Sequence, residues 1–219
     1  MSLLDFARGP ALEWSLVILV FGVIWRLVGT FLFKGQVYLS KPKGTRFVSA
    51  GLKAIATRSW PDHRLEQRIR FQHYSGYLFH ITLFMVIFLF EPHIAFFQWL
   101  LGVSWPGLPT NVITFASAVT IAVLIALAIR RLTDPVLRTL TNLDDWISWL
   151  VTIAPIVTGM MAFAHQNLGI RYEDLLAVHI LSVCVLFVWI PFGKLMHMFL
   201  LFPGRYQIGE KFEFRGVQA

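Results

Sequence analysis

Charge is scarce in this chain. Of 219 residues only 14% are Asp, Glu, Lys or Arg, whereas 57% are hydrophobic and the mean hydropathy is +0.66. A soluble domain of this length cannot hide so much apolar surface, so the composition points to an all-α integral membrane protein. Cysteine is nearly absent. The single Cys184 excludes an internal disulfide, a multi-thiolate zinc site and an iron–sulfur cluster held by this chain alone. Acidic residues are outnumbered 12 to 19 by basic ones. In a membrane protein that excess reflects Lys and Arg retained on the cytoplasmic side, so nucleic acid is not an expected partner. Internal repeats and low-complexity segments are also lacking. No small-residue cleavage site follows the first apolar run, which leads into Trp25-Arg26, so the first span is expected to be retained rather than cleaved.

What is present is a series of apolar runs. Five spans are predicted, at about 12–33, 74–101, 111–129, 145–165 and 174–202. The second and fifth are longer than a crossing needs, and Pro92, Pro155 and Pro191 are expected to kink or bend their spans. The loop of 34–73 is basic, with Lys34, Lys41, Lys43, Arg46, Lys53, Arg58, Arg64, Arg68 and Arg70; Arg130, Arg131 and Arg138 follow span three, and Lys194, Arg205, Lys211 and Arg215 lie near the C-terminus. The opposite side carries Arg8 and Arg171. This asymmetry predicts a five-helix bundle with its N-terminus outside, its C-terminus cytoplasmic, and spans two and five antiparallel. The whole of 1–219 reads as one membrane domain, with 34–73 a basic cytoplasmic loop and 203–219 a cytoplasmic tail. A multi-pass protein of the prokaryotic inner membrane is expected.

The histidines carry the chemistry. His179 and His197 are eighteen residues apart, which on one straight helix is five full turns and a rise of roughly 27 Å. That spacing offers an imidazole near each membrane face. In an antiparallel arrangement His80 lies level with His197, and two neutral imidazoles on opposite sides of one iron are what a six-coordinate b-type haem requires. Gly76 and Gly193 each stand four residues before a histidine, His80 and His197. Each glycine shares its histidine's helical face and leaves room for a porphyrin there; helix–helix contact is the plainer use of such glycines. At the outer side the partner of His179 is His93. Thirteen steps from His80 rotate a straight helix by about 220°, so His93 needs the kink at Pro92 to re-aim it. His73 competes for a ligand role, and His63 reads as solvent-facing.

Several of these segments together resemble the gamma subunit of respiratory nitrate reductases, a dihaem cytochrome b that anchors a molybdenum enzyme. Leu78-Phe79-His80-Ile81 looks like that family's inner haem-ligand motif. Arg130-Arg131-Leu132 with Pro135 and Arg138 looks like its loop after span three, and Pro191-Phe192-Gly193-Lys194-Leu195-Met196-His197 like its final ligand motif. The resemblance covers most of the chain and extends to membrane cytochromes of heterodisulfide-reductase-like complexes. It departs at Phe90, where the family has its second span-two histidine, and at Ser104–Asn111, which lacks the family's quinol-linked lysine.

The resemblance implies two b-type haems, an exchangeable quinone, and an iron–sulfur subunit with a soluble catalytic subunit on the cytoplasmic side. His165 is the candidate quinone contact, within the polar stretch of His165, Gln166, Asn167, Arg171, Tyr172, Glu173 and Asp174. Arg26 either pairs with a haem propionate or snorkels to the interface, and the same two readings hold for Arg130 and Arg131. The segment from Arg205 to Ala219 reads as a docking tail, as an added strand or groove-bound segment, or else frayed. Two other classes compete: a small transporter whose histidines relay protons, and a haem-free membrane anchor.

Overall fold

The computed structural model describes residues 2–32, 39–60, 63–165 and 169–217. Lys34, Gln166, Asn167 and the side chains of His63 and Arg64 lie outside the described set. The described residues form helices and no strand. In chain order the helices are α1 (Leu3–Phe6), α2 (Leu12–Leu32), α3 (Phe47–Thr57), α4 (His63–Leu89), α5 (Glu91–Leu101), α6 (Thr110–Thr133), α7 (Pro135–Leu140), α8 (Leu143–Phe163), α9 (Tyr172–Trp189) and α10 (His197–Arg215).

Four stretches are long and apolar enough to cross a membrane: Leu3–Leu32, Thr110–Thr133, Leu143–Phe163 and Tyr172–Trp189. A fifth forms if Gln67–Leu89 and Glu91–Leu101, bent by 64° at their junction, count as one broken span. The chain is therefore an all-helical protein with the makings of four or five membrane spans. Contacts divide it into two compact units, residues 1–13 with 68–186 and residues 14–67 with 187–219.

In the first unit, local sequence sets the helix ends. Asn142 and Asp145 form a reciprocal capping box at the start of α8, and Asp134 accepts from the Val136 and Leu137 amides to start α7 at Pro135. Gly102, at φ 72°, closes α5 in the left-handed conformation. Arg130 and Arg131 occupy the last turn of α6, where cations suit the helix dipole. The core joins Leu124 of α6 to Ile153 and Ile156 of α8, with Phe79, Leu83, Ile121 and Trp149 packed against them. Two polar ties reinforce it. Thr120 donates its hydroxyl to Thr82 at 2.7 Å, and the Trp149 indole donates to the Leu124 carbonyl at 3.0 Å. In an apolar interior such paired groups escape the desolvation cost of an unmet donor.

The second unit is organised around α3 and α10. The α10 backbone reaches α3 so closely that a Cβ on Gly209 would collide with the Ala50 carbonyl, and one on Gly51 would lie 2.5 Å from the Tyr206 ring. The Lys43 amide donates to the Phe214 carbonyl (3.0 Å), the Arg46 amide to the Glu213 carboxylate (3.0 Å) and the Arg205 guanidinium to the Ser59 hydroxyl (2.7 Å). The Arg58 guanidinium sits 5.0 Å over the Phe212 ring.

Three sequence expectations change here. The span predicted over 174–202 is not continuous: α9 ends at Trp189, residues 190–193 turn, a short 3₁₀ segment covers Lys194–Met196, and α10 begins at His197. Pro191 stands at this break, where its missing N–H removes one helical bond, and is fully buried, 2.6 Å from where a Gly22 Cβ would sit. The five-turn argument linking His179 to His197 therefore does not apply. The tail is neither strand nor frayed; its residues to Arg215 are helical and packed on α3. Within the basic stretch 34–73 the described residues include α3 and the first turns of α4.

Candidate functional site

The kink expected at Pro92 is a full break. Phe90 adopts an extended conformation, φ −89° and ψ 124°, and α5 starts afresh with Pro92 in its first turn. A break exposes carbonyls that a continuous helix would satisfy. The Phe88 carbonyl, which Pro92 has no N–H to meet, accepts from the Trp105 indole at 2.5 Å. The Leu89 carbonyl accepts from the Leu108 amide at 2.8 Å, because the His93 amide has turned to Phe90. The Val86 carbonyl accepts from the His93 ring, Nδ1 to O 2.8 Å. The loop after α5 thus stitches the break shut, and the histidine two residues into α5 completes it.

This re-aiming brings His93 to His179. Their ring centroids are 6.2 Å apart and their planes differ by only 17°. His179 projects from α9 onto α8, where its Nδ1 donates to the Pro155 carbonyl at 3.0 Å, with the Thr158 hydroxyl 3.3 Å away. Thr158 also meets the Ser182 hydroxyl at 3.1 Å. Gly159 makes room for the ring: a Cβ there would stand 3.0 Å from His179 Cε1.

The hydrogen bonds fix the tautomers. A carbonyl only accepts, so in both rings the proton sits on Nδ1, and the neutral ring keeps a lone pair on Nε2. Both bonds are non-local, spanning 7 residues for His93 and 24 for His179, so the fold and not the rotamer alone sets them. A backbone carbonyl accepting the other ring N–H is the usual device for orienting a metal-ligating imidazole.

Two imidazoles on one iron, each Fe–N bond about 2 Å and each ring centre about 1 Å behind its nitrogen, stand about 6 Å apart. The ring centroids of the stacked His93–His179 pair, 6.2 Å apart, match that separation. Among the described residues no three His, Cys, Asp or Glu side chains gather as for an ion held by protein ligands alone.

The remaining sequence candidates fall as follows. His80 donates Nδ1–H to the Gly76 carbonyl at 2.6 Å, with Phe79 edge-on at 4.8 Å. Gly76 has nothing within 4 Å of a built Cβ, so that flank of α4 is open. His197 is the first residue of α10, exposed, with Nδ1 2.9 Å from the Lys194 carbonyl. His80 and His197 belong to different units, and each is described within its own.

Gly193 departs from its expected role. It lies before the α10 start and not on one helix with His197, and the space beside it holds the Trp189 indole, with Cε2 2.7 Å from a built Cβ. His73 lies edge-on to Tyr74 and Tyr77, at 5.5 and 4.8 Å. Arg26 stands exposed on α2.

Arg131 pairs with Asp145 at 3.1 Å and reaches the Thr141 hydroxyl at 3.3 Å. Arg130 lies 5.0 Å over the Phe71 ring with Nη1 buried and lacking a hydrogen-bond acceptor, which leaves a donor to spare for an anionic group. At the other polar end, His165 donates to the Ala162 carbonyl at 3.1 Å and its ring lies 5.1 Å from Tyr172. Arg171 forms a two-bond pair with Asp174, both 2.8 Å, and that carboxylate holds the guanidinium above its ordinary range.

Sequence reading missed Thr158, Gly159 and the Pro155 carbonyl. Pro155 and Gly159, four apart, share a face of α8, which is a signal. However, they sit on a different helix from the histidine they serve, and spacing within one helix cannot reveal that.

No family model matches the chain, and no solved structure matches it. It is similar to a protein of Nitratidesulfovibrio vulgaris, 28% identical over 215 residues that span 93% of this chain and 91% of that protein.

Proposed function

We propose that this chain is the membrane-anchoring cytochrome b subunit of a respiratory oxidoreductase, passing electrons between the quinone pool and a cytoplasm-side iron–sulfur partner. In this reading it spans the inner membrane five times, N-terminus outside, with the α4–α5 pair as the second span. The observation that carries it is the His93–His179 pair: 6.2 Å apart, near-parallel, with both Nδ1 protons committed to backbone carbonyls. Bound b-type haem would supply one-electron redox chemistry at that site, and the family resemblance read from the sequence implies a second haem in the chain.

The chain's own residues do the rest. The break at Phe90 and the loop hydrogen bonds hold His93 in place. Pro155, Thr158 and Gly159 seat His179. Arg130, with an unmet buried N–H, is placed to meet a carboxylate at the other end of the first unit. His165, with its proton on Nδ1, keeps Nε2 as a proton acceptor for a quinol at the outer polar edge.

A reduced-minus-oxidised spectrum of the purified protein tests this directly. A b-type alpha band is expected; its absence when haem supply is ample would leave the transporter and anchor readings instead. Near-parallel rings further predict a rhombic low-spin electron paramagnetic resonance signal for the outer centre, not the highly anisotropic signal of perpendicular rings.

A further inference from the structure

Helix α3 divides into three faces. Gly51 and Ala54 are buried against α10. Val48 and Leu52, four apart and so on one side, are 63% and 58% exposed. Ser49, Lys53 and Thr57, again at intervals of four, form a separate polar side. Just past the helix, Trp60 is 59% exposed. Residues 39–60 contain Lys41, Lys43, Arg46, Lys53 and Arg58 and not one Asp or Glu. With one face taken by α10, where Arg58 turns to Phe212 and the Glu213 carboxylate meets the Arg46 amide, the strip of Val48 and Leu52 beside Lys53 stays exposed among the described residues, with Trp60 beyond its end.

We propose that this strip rests on an anionic lipid surface, with α3 lying in the membrane–water interface while α10 braces it from the side. The chemistry favours lipid over other occupants. Val48, Leu52 and an interfacial Trp60 suit the acyl boundary, and five cations within 39–60, against which Glu213 of α10 sets a single carboxylate, suit phosphate headgroups. The same run would repel a second copy of itself. The helix is also short enough, at 11 residues, to lie flat without spanning. None of this depends on haem binding.

The test uses the full-length chain with Cys184→Ala, reconstituted into phosphatidylcholine vesicles with or without phosphatidylglycerol. Leu52→Cys and Lys53→Cys are labelled with bimane and quenched by lipids carrying a nitroxide on the acyl chain; Val48→Cys and Ser49→Cys repeat the comparison one turn earlier. Severalfold stronger quenching is expected at 52 and 48 than at 53 and 49, with the contrast shrinking when phosphatidylglycerol is omitted. Equal quenching at all four sites would overturn the proposal and leave the strip to a protein partner. A contrast indifferent to phosphatidylglycerol would overturn the requirement for anionic lipid.

Discussion

Two proline-bearing breaks interrupt apolar helices, and they do opposite things with the histidines beside them. At Phe90 the chain turns by 64°, and Trp105, Leu108 and the His93 ring itself meet three of the carbonyls around the break. The turn points His93 at His179. At residues 190–196 the chain bends around a buried Pro191, Gly193 is filled by Trp189, and His197 emerges exposed at the head of a new helix packed on α3. The first break finishes a site inside its own unit. The second ends one helix and starts another, and its glycine serves local packing. The same residue types, Pro with a nearby His, therefore carry no fixed meaning; what fills the space around them decides.

The comparison can be broken from either side. The largest effect is expected from His179→Ala, which removes one of the two outer imidazoles and should abolish the outer haem signal in the redox difference spectrum while the inner one stays. Pro92→Ala comes next. Restoring the N–H lets the helix run on, which swings His93 toward the orientation about 220° from His80 that a straight helix dictates. Outer-haem occupancy should fall in most molecules, and an unchanged occupancy would show that the loop, not the proline, holds the break.

Gly159→Val should act through the ring. Even a Cβ would press on His179 Cε1 at 3.0 Å, so the branched side chain should lower outer-haem occupancy, whereas Gly193→Ala should disturb the Trp189 packing and leave the outer signal untouched. Trp105→Phe deletes the donor to the Phe88 carbonyl, an exposed bond, and should cost about 0.5–1.5 kcal/mol of thermal stability, the net worth of an ordinary hydrogen bond. Haem content at low temperature should hardly change. The smallest effect belongs to Thr158→Val, a shift in the outer potential with occupancy kept, read by redox titration.

Much of the architecture was legible in the amino-acid order. Hydropathy marked every apolar helix that is long enough to cross, and Pro92 marked the bend that re-aims His93. The rest was hidden for physical reasons. The expected continuity of 174–202 rested on apolar run length, which does not register that Pro191 leaves the helix and that Trp189 needs the room Gly193 gives. The tail looked like alternating charged and aromatic residues because α10 buries a mixed face on α3, through Tyr206, Gly209 and Glu213. The seat of His179 was invisible because Pro155, Thr158 and Gly159 come from another helix, and single-helix periodicity says nothing about which helices meet. The partner of Arg131 was hidden for the same reason: Asp145 lies beyond an intervening helix in sequence.

The most direct measurement is the ratio of haem to polypeptide, by alkaline pyridine assay, in the purified wild-type protein and in His93→Ala. The paired-imidazole account expects two haems per chain in the first and one in the second. A colourless wild-type protein made with abundant haem, or an undiminished ratio in His93→Ala, would contradict it.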